Sequence, residues 1–170
     1  MKNTKKITFC GLMTAVSIII LLLGGITKVL DITTVVICAV IISVVFEEVK
    51  YGALFVYFAT AILTFALLPN KDLGVEYVIF AIYPIVKPVF DKIPKPFSAI
   101  IKIIFMAIMS AILALLFRYI FYPGELWYVD LAFFVGLTVC YYLFDISLTR
   151  FKRYYYFVLR QKLRIDRFFR

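Results

Sequence analysis

Six long apolar runs fill most of this chain, and most of the charge lies in the gaps between them and at the two ends. A helix needs about 20 mostly apolar residues to cross the hydrocarbon core of a bilayer. The runs fall at 7–26, 32–46, 51–68, 75–90, 97–122 and 126–148, the second being short unless its flanks snorkel. They are continuous and do not alternate, which predicts helices and not barrel strands. Hydrophobic residues make up 65% of the 170, against roughly 45–50% in an ordinary soluble domain, and the mean hydropathy is +1.03. A soluble fold of this size must turn much of its surface to water and could not hide so many apolar side chains. The sequence therefore reads as an all-α integral membrane protein, a six-helix bundle over 1–148 followed by a basic amphipathic tail over 149–170.

Lysine and arginine orient it. Lys2, Lys5 and Lys6 lie at the start, and Arg150, Lys152, Arg153, Arg160, Lys162, Arg164, Arg167 and Arg170 at the end. Lys50, Lys92 and Lys95 sit in gaps on that same side of a six-span path, while Lys28, Lys71 and Arg118 fall on the other. The bias places both termini in the cytoplasm of a multi-pass cell-membrane protein. The first run is longer than a signal-peptide core of roughly 7–15 residues and lacks an Ala-x-Ala site, so it is read as a span. The net charge of +9 follows from insertion and from anionic lipid, and no nucleic-acid partner is expected. In the tail, Phe151, Tyr155, Leu159 and Leu163 form an i, i+4 ladder, with Arg153, Arg160, Arg164 and Arg167 largely off it. That pattern predicts a helix lying among anionic headgroups, with docking onto a partner as the alternative.

The absences narrow the chemistry. With no histidine in the chain, His-ligated metals, phosphohistidine and Ser-His or Cys-His nucleophile pairs are excluded. No G-x-x-x-x-G-K-[ST] loop occurs, so P-loop ATP hydrolysis is excluded too. Glu47-Glu48 has the look of the glutamate pair of intramembrane CAAX-type proteases, but the histidines of that family are missing, and the pair reads as helix-end charge. Cys10, Cys38 and Cys140 lie in apolar runs at no metal-ligand spacing and read as packing residues. Neither catalytic residue, metal nor cofactor is expected, and the chain is not expected to be an enzyme.

Two constellations remain. The six-span path gathers Glu76 and Tyr77, Arg118, Tyr119 and Tyr122, and Trp127, Tyr128 and Asp130 at the outer ends of the later spans. Charges at membrane depth are costly and tend to pair or to line a wet cavity. Glu76, Tyr77, Arg118, Tyr122, Trp127 and Asp130 are therefore candidate substrate-binding residues, Arg118 for an anionic group and the aromatic residues for a ring. An interfacial aromatic belt without ligand is the plainer alternative. The other constellation is Gly11 and Ala15, whose i, i+4 spacing lets a second helix approach closely. Ala107 and Ala111 repeat that spacing, and packing within the bundle is the plainer reading for them.

Prolines mark two irregular places. Pro84 is expected to kink the fourth span. The segment 87–96 contains Pro88, Pro94 and Pro96 and is expected to be a stiff, non-helical, basic elbow.

The size, six runs, basic start and opening Lys5-Lys6-Ile7-Thr8-Phe9-Cys10-Gly11-Leu12-Met13-Thr14-Ala15-Val16-Ser17 resemble the substrate-binding S components of energy-coupling factor (ECF) vitamin transporters. Lys50-Tyr51-Gly52 is similar to a short basic-Gly turn of that family. The resemblance implies a non-enzymatic subunit that captures a vitamin-like molecule from outside. It further implies a small-xxx-small first helix, here Gly11 and Ala15, facing a transmembrane T component driven by two ABC ATPases. An alternative resemblance, to rod-shape-determining MreD-like membrane scaffolds, implies no transport. A small secondary carrier ranks last, since no carboxylate lies at the centre of a span.

Overall fold

The computed structural model describes residues 2–27, 31–69, 71–121 and 127–160. Every regular element among them is helical. In chain order these are α1 (Lys2–Thr27), α2 (Asp31–Glu48), α3 (Lys50–Leu67), α4 (Lys71–Ala81), α5 (Tyr83–Phe90), α6 (Lys95–Leu116) and α7 (Trp127–Tyr154). Short π-helical turns, Phe117–Phe121 and Tyr155–Leu159, follow α6 and α7. Contacts divide the chain into one unit of residues up to Ile85 together with those from Leu148 onward, and a second unit, Val86–Ser147.

Five stretches are long and apolar enough to cross a membrane: Thr4–Thr27, Lys50–Leu67, Lys71–Phe90, Pro96–Tyr119 and Leu131–Leu159. The expected span 32–46 is α2, and it is not among them. Its 18 residues include Asp31, Glu47 and Glu48, which leave an apolar stretch shorter than the roughly 20 residues a crossing takes. α2 instead packs inside the first unit. Val35, Cys38, Ala39, Ile42 and Val45 are all fully buried, and α2 packs on α1, α3 and α4.

Small side chains set that packing. On α1 the buried positions Cys10, Thr14, Ser17, Leu21 and Gly24 recur every three or four residues and make one stripe. A Cβ at Gly24 would collide with Thr34 of α2, and one at Gly52 of α3 would come within 2.6 Å of Cys10 Sγ. Backbones at such closeness gain dispersion contacts along their whole length, the force that holds helices together when lipid removes the hydrophobic drive. On α3 the stripe is Ala53, Val56, Tyr57, Thr60, Ala61 and Thr64. Thr14 and Thr64 donate their hydroxyls to the carbonyls of Cys10 and Thr60 four residues back, which lets polar side chains sit in an apolar interior.

Prolines end or bend the helices as their missing N–H requires. Leu68, which precedes Pro69, is extended at φ −83°, ψ 135° and closes α3. Ile82 separates α4 from α5, two residues before Pro84, so the kink expected there is a break. The elbow is shorter than expected: α5 runs through Pro88 to Phe90, and the helical path is interrupted only at 91–94. Asp91 still donates its N–H to the Lys87 carbonyl at 3.0 Å, so the turn past Pro88 is kept. Pro94 and Pro96 then open α6, where a first-turn proline sacrifices no hydrogen bond.

In the second unit, α6 turns Phe97, Ile100, Ile103, Ile104, Ile108 and Leu115 outward, more than half-exposed. A lipid-facing surface explains such a face, which a monomer in water rarely carries. No helix break separates 148 from 149. α7 continues to Tyr154, and the described ladder residues turn inward within the first unit, with Tyr155 buried and Phe151 and Leu159 half-buried, while Leu163, Arg164 and Arg167 lie outside the described residues.

Candidate functional site

The candidate substrate residues fall in different parts of the chain. Glu76 and Tyr77 sit on α4 in the first unit. Glu76 is half-buried, while Tyr77 is fully enclosed. Its ring stacks on Tyr57 with centroids 6.0 Å apart, and the Tyr57 hydroxyl donates to the Val78 carbonyl at 2.9 Å. Tyr77 thus ties α4 to α3. Arg118 is exposed in the π-helical turn after α6, in the second unit, and Tyr119 beside it is exposed as well. Tyr122 lies outside the described residues. The backbones of Trp127 and Asp130 form the first turn of α7, and their side chains lie outside what is described.

Gly11 and Ala15 are exposed on α1, off the buried stripe. No atom lies within 4 Å of the place a Gly11 Cβ would take. Within the chain, close helix approach uses Gly24 and Gly52 instead. Ala107 and Ala111 are half-buried on α6.

The most developed polar chemistry among the described residues lies in two charge clusters, one of which contains the Glu47-Glu48 pair that the sequence reads as helix-end charge. In the second unit, Lys87 of α5 forms an ion pair with Asp145 of α7 and donates a further hydrogen bond to the Asp145 main-chain carbonyl at 2.9 Å. The Lys87 side chain is 2% exposed and that of Asp145 18%. One turn along, Asp91 pairs with Lys102 of α6. Lys87, Asp145, Asp91 and Lys102 form one group of charges. The charges sum to zero, which is the condition for holding a cation out of water.

The other cluster closes the first unit. Glu47 takes Lys152 at 2.9 Å and the Tyr156 hydroxyl at 2.7 Å. Glu48 takes Arg160 at 3.1 Å and the Tyr155 hydroxyl at 2.9 Å. Arg160 also lies over the Tyr156 ring, 5.7 Å from its centroid. Burial pushes the Glu47 carboxyl up, but the hydrogen bonds from Lys152 and Tyr156 and the charges of Lys152 and Lys50 outweigh it. The net displacement is downward.

A shallow groove of about 200 Å³ in the second unit is lined by Ile103, Met106, Thr138, Val139 and Tyr142. The Thr138 hydroxyl turns back to the Phe134 carbonyl at 2.9 Å, so the groove presents an apolar wall. Among the described residues no three His, Cys, Asp or Glu side chains gather as a metal site would require.

No family model, no curated protein and no solved structure matches the chain, so its membrane-protein character rests on its own residues and helices.

Proposed function

We propose that the chain is the membrane-embedded substrate-capture subunit of an ECF-type importer, with six spans and both termini in the cytoplasm of a cell membrane. It takes a vitamin-like molecule from outside and passes it on through a T component and ABC ATPases. It performs no chemistry on that molecule. The observation that carries this reading is the bare face of α1. Gly11 and Ala15 lie exposed between Ile7, Leu12 and Ile19, with open space above Gly11, so a second transmembrane helix has room to approach closely. Glu76, Tyr77, Arg118, Tyr122, Trp127 and Asp130 are the proposed substrate contacts, with Arg118 taking the anionic group. In this reading α2 is the sixth span and is sheltered from lipid by α1, α3 and α4.

Copurification from native membranes tests both halves, with mass spectrometry of small molecules and of proteins in one sample. A bound small molecule and a T component are expected. Gly11→Leu is expected to abolish the partner while leaving fold and ligand in place. Absence of both ligand and partner, with wild-type behaviour of Arg118→Ala in uptake, would remove the assignment.

A second reading, an MreD-like scaffold without transport, is favoured by the groove of the second unit, whose apolar wall suits an apolar partner better than a polar ligand. Partner proteins recovered without any small molecule would select it.

A further inference from the structure

The C-terminal segment is fastened by an unusual geometry. Glu47 and Glu48, neighbours at the end of α2, each accept one cation and one phenol, and all four donors come from nine residues, 152–160. Tyr155 and Arg160 both reach Glu48 although they are five apart. In an α-helix that spacing turns two side chains about 140° away from each other. Here the Arg160 N–H donates to the Tyr155 carbonyl, closing a π-helical turn that stacks position 160 above position 155. The turn is thus the local device that lets one carboxylate hold both residues.

The docked segment has a second face. Arg150, Arg153, Tyr154 and Phe157 are exposed, and Lys162, Arg164, Arg167 and Arg170 follow in the sequence. Arginine interleaved with aromatic residues beside a membrane span is the composition of an interfacial helix. Lys152 and Arg160 can therefore be satisfied in two ways: by Glu47 and Glu48, or by lipid phosphates, which offer cations the same charge-assisted hydrogen bonds.

We propose that Glu47–Glu48 is a socket for a basic aromatic helix, filled in this structure by the chain's own segment 149–160, and that an anionic bilayer surface draws this segment out of it. Exchange is set by lipid composition, because carboxylate and phosphate compete for the same two cations and only the difference between them biases the equilibrium. Glu47, held ionised by Lys152 and Tyr156, keeps the socket charged at neutral pH. The proposal rests on the membrane reading alone and needs no transported ligand, so its failure leaves the capture reading untouched.

The test is a distance measurement on the full chain, with spin labels at Tyr51→Cys on α3 and Phe157→Cys, both exposed, after Cys140→Ser. The protein is reconstituted in phosphatidylcholine alone or with added phosphatidylglycerol. One short distance is expected in neutral lipid, and a second, longer population with the anionic lipid, reduced by high salt. Glu47→Gln with Glu48→Gln is expected to populate the longer distance in both lipids. Lys152→Gln with Arg160→Gln is expected to empty the socket in both lipids and so to reduce the dependence on lipid charge. If the glutamine pair fails to fold, Tyr156→Phe removes one hydroxyl at an exposed position and is expected to increase the longer population in anionic lipid. A single distance common to both lipids and unmoved by the glutamines would overturn the proposal. So would a longer population that appears equally in neutral lipid with wild-type protein.

Discussion

Two lysine–aspartate pairs lie a single helical turn apart in the second unit and pose opposite problems. Lys87–Asp145 is the more enclosed, its partners 2% and 18% exposed, while Lys102–Asp91 is the more open, at 17% and 44%. The chemical groups are the same, so the difference lies in water. The more open pair keeps much of the hydration of Asp91, which limits its worth to about 0–1 kcal/mol. The enclosed pair has given up hydration on both ions. It is tolerable only because Lys87 also finds a main-chain carbonyl and the neighbouring charges balance. Breaking one half then strands the other.

The sharpest way to break this comparison is Lys87→Met. It is expected to cost about 3–5 kcal/mol of stability, because Asp145 is left without its cation, measured by denaturant unfolding in detergent micelles. Adding Asp145→Leu to the same chain should recover most of that loss. A double variant as unstable as the single one would show that shape, not charge, dominates at this place. A smaller effect is expected at Glu47. Its carboxyl sits below the ordinary 4.5 in the folded chain, so its contribution is full above pH 4.5 and fades as pH falls through the lower, folded value. Wild type and Glu47→Gln should therefore differ by a constant amount at neutral pH and converge in acid, followed by pH-dependent thermal unfolding. The smallest effect belongs to Lys102→Gln, about 0–1 kcal/mol, shrinking further as salt is added. A Lys102 variant as damaging as the Lys87 one would remove burial as the explanation.

Much of the fold was legible because helix periodicity and proline chemistry are local. The runs at 7–26 and 51–68 match α1 and α3, and the break at Ile82 follows from Pro84. The elbow is shorter than Pro88 leads one to expect. That residue removes one donor, but the neighbouring turn keeps its Asp91-to-Lys87 bond. The charge clusters were not legible for a different reason. Asp145 lies 58 residues from Lys87, and Tyr155 lies 107 residues from Glu48, so no window of sequence contains both partners. A lysine beside Pro88 looks like any inner-leaflet anchor until a carboxylate arrives from α7. Of the candidate substrate residues, Tyr77 carried a double meaning, since an aromatic with a hydroxyl serves a ligand or a neighbouring helix equally well. The structure gives it Tyr57. The Gly11–Ala15 spacing was legible, but the face it occupies was not, because Cys10 and Thr14 share the spacing and take the buried side.

The stripe that buries Cys10 against Gly52 also sorts the thiols. Cys10 and Cys38 are enclosed, the latter with its Sγ 3.4 Å from the Ser17 carbonyl, and Cys140 is exposed on α7. The native chain thus carries one addressable sulfhydryl on an apolar surface, out of reach of a charged maleimide and within reach of a membrane-permeant one. Alkylation of Cys140 becomes a built-in footprint for α7. Its rate should drop in native membranes wherever another polypeptide, and not lipid, lies against that helix.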